Sequence, residues 1–314
     1  MPLFISRSLG LALLLVAPFA IEPARAGLIL HLAADQIDLN DPTQVRNDNG
    51  NLYVQQWNDV TPNATDPVTD HATQTTDSNQ PLYVSSVAAF NNQPALQFDG
   101  ADDFLQVAHR DVLNPGGGDY TGFIVGQTTS NATSQFWMQK GNSGSTNPGF
   151  TVFSSGPNAN TGDPPLFNAR GRSSNHSVRE AFDATTEPVL ISFTFTGSEL
   201  EAFLNGDDSD PVISDTSYTG PIATVEAMFL GKRNAFGDLF LDGFLAEIQI
   251  YDGPLSASER QAVTNLLGQK YGLIASASSV PEPATLTLLA LGLSMCILGA
   301  YRKRGQTRGS SACG

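Results

Sequence analysis

The stretch Val189-Leu-Ile-Ser-Phe-Thr-Phe195 alternates, with Val189, Ile191, Phe193 and Phe195 on one face and Ser192 and Thr194 on the other. A period of two marks a strand with one buried face, because successive side chains of extended backbone point to opposite sides. Thr196-Gly197-Ser198 then turns the chain into Glu199-Leu-Glu-Ala-Phe-Leu204, and Asn205-Gly206 ends that second strand with residues suited to positive φ. The alternation returns at 244–251, where Phe244, Ala246, Ile248 and Ile250 oppose Leu245, Glu247, Gln249 and Tyr251. Further strands are predicted at 28–32, 95–98, 104–107, 122–126, 136–139, 150–154 and 227–230. Many half-buried strands between Gly- and Pro-rich turns, with no βα alternation, predict an all-β fold of two antiparallel sheets packed as a sandwich. The one convincing helix opens at Ser256-Ala-Ser-Glu259, a capping box, and runs to about Tyr271. Leu255, Val263, Leu266 and Leu267 are expected to dock it.

Working outward, both ends read as targeting segments. Residues 1–26 combine Arg7, an apolar run from Leu9 to Ala20 and the triplet Ala24-Arg25-Ala26, which predicts a signal peptide cleaved after Ala26. The folded domain is expected at 27–274 and a linker at 275–279. Val280-Pro281-Glu282-Pro283 then precedes an apolar run from Ala284 to Ala300 and the basic cluster Arg302-Lys303-Arg304. A helix over that run spans about 25 Å, slightly short of a hydrocarbon core of about 30 Å. We therefore expect a short C-terminal transmembrane helix, with residues 305–314 as a cytoplasmic tail on its basic side. The order of motif, apolar run and basic cluster resembles the PEP-CTERM sorting signal of Gram-negative bacteria. That resemblance implies transient anchoring in the inner membrane, cleavage near Pro281-Glu282-Pro283 by an exosortase-type enzyme, and release to the cell surface or extracellular matrix.

The body carries a second resemblance. Trp57-Asn58-Asp59, His71-Ala-Thr-Gln74, Gln80-Pro-Leu-Tyr83, Pro94-Ala-Leu-Gln-Phe-Asp-Gly100, Asp102-Asp103-Phe-Leu105 and Leu204-Asn205-Gly206 occur in that order. Leu230-Gly231, Asp242-Gly243-Phe-Leu-Ala-Glu247, Tyr251, Leu255-Ser256 and Lys270-Tyr-Gly272 complete the series. It is similar to the laminin-G-like, concanavalin A-type jelly roll of many bacterial exported proteins. The resemblance implies a lectin-like module, with an extracellular polysaccharide as partner. Fold alone does not assign function, and the same architecture hosts adhesion modules and glycoside hydrolases.

Charge narrows the choice. The chain has 16 Lys+Arg against 31 Asp+Glu, a net charge of −15 and a pI near 4.4. This excludes nucleic-acid binding, which needs a clustered basic surface. Two Arg and one Glu fall in 1–26, and four basic residues and one Glu in 281–314, so the body holds 10 basic against 29 acidic residues. Both cysteines, Cys296 and Cys313, also lie in the C-terminal segment, which rules out a disulfide scaffold in the body.

Candidate residues follow by chemistry. Sugar rings stack their C–H faces on exposed aromatic platforms, for which Trp57, Tyr120, Trp137 and Tyr218 are the candidates. Calcium prefers hard carboxylate oxygens, and Asp99, Asp102 and Asp103 form the densest acidic group, with Asp59, Asp238 and Asp242 as further neighbours. The alternative reading is that Asp99 and Asp102 hydrogen-bond turn backbone, a common use of Asp. Retaining glycoside hydrolysis needs two carboxylates about 5–5.5 Å apart. Glu199-Leu-Glu201 is the nearest approach, with Glu247 as a further acid. His31, His71, His109 and His176 have no metal-ligand or triad spacing, and Gly116-Gly-Gly118 precedes no helix. No catalytic residue is assigned, and the expectation is a non-enzymatic binding or adhesion protein. A polysaccharide hydrolase or lyase, or a structural matrix protein without a ligand, are the alternatives.

Overall fold

The computed structural model describes residues 26–61, 70–114, 119–141, 149–157, 165–173, 176–183, 186–196, 199–206, 212–213, 224–234 and 238–274. Among these, every strand pairing is antiparallel and the strands form two sheets, one of ten and one of eight. The larger sheet runs Val212–Ile213, Leu200–Leu204, Val189–Thr196, Asp119–Thr128, Asp242–Tyr251, Gln93–Asp99, Leu82–Val87, Asn51–Val54, Val45–Asp48, and Leu28–Ala33 adds to Asp242–Tyr251. The smaller runs His176–Asp183, Leu166–Ser173, Phe150–Ser155, Gln135–Lys140, Met228–Leu230, Leu105–Val107, Ala72–Thr73, Gln56–Trp57. The expected two-sheet sandwich is therefore present.

The strand at 189–196 behaves as its alternation dictates. Val189, Ile191, Phe193 and Phe195 enter the core between the sheets, together with Leu96, Phe98, Trp137 and Leu230. Its other face is not solvated, because Leu190, Ser192 and Thr194 are buried as well. The helix Ala257–Tyr271 lies on that side of the larger sheet, where it meets the strands Val189–Thr196 and Asp119–Thr128. Its capping box forms as expected. The Glu259 N–H donates to Ser256 Oγ at 3.3 Å and the Ser256 N–H donates to Glu259 Oε2 at 3.1 Å.

Two details depart from the sequence expectation. Leu266 is 66% exposed and does not dock the helix; Leu255, Val263, Leu267 and Tyr271 do, with Arg260 and Thr264 buried on the same side. Positions 260, 264, 267 and 271 recur at helical spacing, so the docking stripe is continuous but half polar. The Arg260 guanidinium sits 3.9 Å from the centre of the Phe203 ring, which lets a cation occupy an apolar stripe. Second, the strand Asp242–Tyr251 shifts register against Asp119–Thr128 between Leu245 and Glu247. One residue of bulge moves every following side chain to the other face. Leu245, not Phe244, therefore joins Ile248 and Ile250 in the inter-sheet core, while Phe244 and Ala246 face the helix.

No helix among the described residues is long and apolar enough to cross a membrane. The expected membrane segment at 284–300 lies outside the described residues, as do residues 1–25.

Candidate functional site

The site is built on the hairpin that joins Val45–Asp48 to Asn51–Val54. Asn49 and Gly50 both have positive φ (55° and 91°), the geometry of a two-residue I′ turn whose twist suits a hairpin. Asn and Gly are the residues that adopt it with least strain. Val45, Val54, Leu96 and Phe98 point into the core, so the alternate positions line the outer face. There Arg46 stands opposite Tyr53, Tyr53 opposite Leu82, and Leu82 opposite Gln97. This row crosses four strands.

Arg46 is held in place from several directions. Its Nε donates to Gln80 Oε1 at 3.0 Å and its Nη2 to the Asp77 carbonyl at 3.1 Å. Asp48 and Asp77 lie 3.6 and 3.7 Å from its guanidinium, and the Tyr53 ring centre lies 4.7 Å below it. Exposed ion pairs of this kind are each worth little; together with the stacking they fix the orientation of the group. Beyond Gln97 the turn after Gln93–Asp99 brings Asp99, Asp102 and Asp103 together, with carboxylate oxygens within 4.8 Å of one another. A cleft of about 590 Å³ opens between hairpin and turn, lined by Arg46, Asp48, Tyr53, Asp77, Gln80, Gln97, Asp99 and Asp103.

Asp103 is the buried member, 7% exposed. Burial first, then the charge of Asp99, pushes its carboxyl up to about 7, against a bond from the Asp99 N–H to its Oδ2 at 3.1 Å. Asp99 Oδ1 in turn accepts from the N–H groups of Ala101 and Asp102 at 2.9 and 3.3 Å. Both sequence readings of these aspartates thus meet in one place, since they cap the turn and also group their oxygens. Because the folded carboxyl holds its proton up to about pH 7, its contribution to stability is present below about pH 4 and lost as pH rises towards 7. Asp103→Asn is therefore expected to match the parent's stability at pH 4 and exceed it by about 1–2 kcal/mol at pH 8, read by denaturant unfolding at both pH values.

The other sequence candidates are placed elsewhere. Trp57 and Trp137 are 0% exposed and Tyr120 is 2% exposed, which corrects their expected role as platforms. Trp137 meets Phe167 edge-on at 5.3 Å, and Tyr120 packs among Phe150, Phe193 and Phe195. Inward strand positions bury any ring, however suited to sugar. Tyr218 and the processing residues Val280, Pro281, Glu282 and Pro283 lie outside the described residues, whereas Ala26 packs beside the helix-side core. Asp59 does not join the acidic turn; it accepts from the His31 and Thr61 N–H groups. Asp238 pairs with Arg233 at 2.6 Å. Asp242 stands opposite Asp99 in register, but its oxygens are outside the three-carboxylate group.

Glu199 and Glu201 are half-buried near the end of the larger sheet, away from the cleft lining. Glu247 is 3% exposed and fully occupied. Its carboxylate accepts from His31 Nε2 at 2.7 Å, Gln249 Nε2 at 2.8 Å, Lys270 Nζ at 2.7 Å and the Tyr271 hydroxyl at 2.8 Å. Burial opposes its charge, yet the bonds from His31 and Lys270 win and hold the carboxyl at about 2. A general acid needs a proton to give near neutral pH. Glu247 has none, and its role is to clamp helix, sheet and first strand together.

Residues 279–304 match the PEP-CTERM protein-sorting motif. The match agrees within one residue with the expected signal at 280–304. A search of curated proteins gave no match. Among solved structures, the chain is similar to the binding domain of Paraclostridial Mosquitocidal Protein 1, at 12% identity and a TM-score of 0.52, covering 76% of this chain and 52% of that one. A GH54 α-L-arabinofuranosidase variant soaked with 4-nitrophenyl α-L-arabinofuranoside gives the same identity and score, covering 73% and 54%. Domain 4 of AbnA, a GH43 extracellular arabinanase from Geobacillus stearothermophilus in complex with arabinotriose, is 14% identical with a TM-score of 0.47, covering 76% and 99%. The chain spans about half the length of the first two. At such identity the likeness is one of β-sandwich fold.

Proposed function

We propose that this is an exported protein of the cell surface or extracellular matrix whose laminin-G-like sandwich binds a polysaccharide in the cleft between the Asn49-Gly50 hairpin and the acidic turn. The sorting motif at 279–304 supports the export half of the reading, with an exosortase-type enzyme as processing partner and the inner membrane as a transient anchor. One observation carries the binding half: an open cleft that combines a fixed guanidinium, a ring, the Gln97 amide and the carboxyl groups of Asp48, Asp77, Asp99 and Asp103. Planar polar groups bond adjacent sugar hydroxyls while a ring receives the apolar face, which is the mixture that glycan sites use.

The charge of the lining selects the ligand class. Asp48, Asp77 and Asp99 outnumber Arg46 in the lining, and Asp103 adds a fourth charge as pH rises through about 7, so uronic-acid and sialic-acid glycans are repelled and neutral or amino-sugar glycans are favoured. The experiment is a glycan array probed with the full chain, run once with calcium and once with chelator. Retention on neutral or amino-sugar glycans supports the reading, and retention confined to acidic glycans, or none, overturns it. A chelator-sensitive signal would mark Asp99, Asp102 and Asp103 as calcium ligands. No catalytic role belongs to this proposal.

A further inference from the structure

Gly27 stands one residue before the strand Leu28–Ala33, and it meets Asp252 twice. The Asp252 N–H donates to the Gly27 carbonyl at 2.9 Å, extending a ladder whose outermost registered pair is Leu28 with Tyr251. The Gly27 N–H, in addition, donates to the Asp252 carboxylate. That second contact is no part of the ladder. The backbone carrying Asp252 is itself fixed: the buried Thr121 hydroxyl donates to the Gly253 carbonyl at 3.1 Å and accepts from the Leu255 N–H at 2.9 Å. Glycine suits position 27, since a Cβ there would already lie 3.3 Å from the Asp252 oxygen. The other titratable and charged groups of the packed elements are engaged elsewhere: His31, Lys270 and Tyr271 bond Glu247, Arg260 lies over Phe203, Asp242 accepts from Thr129, Tyr251 donates to Gln249, and Glu259 is tied to Ser256.

We infer that Asp252 is the docking site for the α-ammonium group that export processing creates at Gly27. The inference rests on the export reading, in which Ala24-Arg25-Ala26 is the cleavage site. Cleavage adds water across the Ala26–Gly27 peptide bond, leaving a carboxylate on Ala26 and an amine on Gly27. The amine takes up a proton at neutral pH. The nitrogen already facing Asp252 thus becomes a cation with three N–H groups, and an amide-to-carboxylate hydrogen bond becomes an ion pair without movement of the strand. In the precursor the same nitrogen is an uncharged amide. Processing therefore ties down the first strand of the sandwich, next to the central strand Asp242–Tyr251.

The test uses the full chain with its own N-terminal segment, produced in an exporting Gram-negative host as parent and as Asp252→Asn. Intact mass and N-terminal sequencing identify the first residue, and NMR titration of the ¹³C-dimethylated α-amino group reads its charge. The expected results are Gly27 as first residue in both, and a parent titration midpoint about half a pH unit above that of the variant. A raised α-amino value gives stability that is present below the ordinary range of about 7.7–8.0 and lost as pH rises through the folded value. The parent's higher thermal midpoint should accordingly be seen at pH 6–7 and vanish towards pH 10. Gly27 as first residue with equal titration midpoints would overturn the docking and leave the export reading intact. A different first residue would overturn both the cleavage site and the docking.

Discussion

Glu247→Ala is expected to destabilise the sandwich by about 3–5 kcal/mol, the cost of breaking a buried, hydrogen-bonded ion pair from one side. For a domain of this size that lowers the thermal midpoint by roughly 10 °C, measured by calorimetry or circular dichroism. The loss is large because four donors converge on one carboxylate that is 3% exposed. Removing the acceptor leaves the Lys270 ammonium, the Tyr271 hydroxyl and the His31 ring with their bonds unmade. Lys270 retains Asp35, at 2.9 Å, and the Tyr271 ring, 5.1 Å away. Its value is raised because the charges of Glu247 and Asp35 outweigh its burial, so the pair favours both charged forms.

The pH dependence follows in sign. The folded carboxyl at about 2 lies below the ordinary glutamate value of about 4.3. Its stabilisation is therefore present above about pH 4 and is lost as pH falls through 2. The parent should lose stability steeply between pH 4 and 2, whereas Glu247→Ala should show a shallower loss over that range. A wild-type-like acid profile in the variant would contradict the clamp.

Tyr53→Ala and Arg46→Ala are each expected to weaken glycan binding by about 10- to 100-fold, the effect of removing a ring platform or a charged hydrogen-bond donor from a small site. The two substitutions separate mechanism from folding. Tyr53 is half-buried on the outer face, so its loss should lower the thermal midpoint by only a few degrees. Tyr53→Phe keeps the ring under Arg46 and should retain most of the affinity. If Tyr53→Phe binds as weakly as Tyr53→Ala, the hydroxyl carries the contact, and stacking is the wrong account.

The sequence shows the sandwich where alternation is strong and hides the site where it is weak. The strand 189–196 announces itself by apolar positions at every second residue, and 119–128 by the short apolar run Phe123-Ile124-Val125. Val45–Asp48 and Asn51–Val54 are short and carry polar residues on their outer face, so their period is barely expressed. Asn49-Gly50 is nevertheless a strong hairpin dipeptide, and a two-residue turn there is the signal that pairs Arg46 with Tyr53. The strands Leu166–Ser173 and His176–Asp183 escape the alternation rule for a similar reason, since their sequences are mixed in polarity. The candidates Trp57, Tyr120 and Trp137 fail because residue type carries no information about which face a strand turns inward. The bulge at 245–247 is likewise invisible to period-two reading, which assumes one unbroken register. The acidic turn, by contrast, is legible, because its three aspartates lie within five residues of sequence.

Glycan binding in the cleft between the hairpin and the acidic turn is open to direct measurement. Isothermal titration of the full chain with neutral, amino-sugar and uronic-acid oligosaccharides, repeated with Tyr53→Ala, tests it most directly. The expected result is binding of neutral or amino-sugar oligomers, at least tenfold weaker in Tyr53→Ala, with uronic-acid oligomers the poorest ligands. Equal affinities in parent and variant, or a preference for the uronic-acid series, would contradict it.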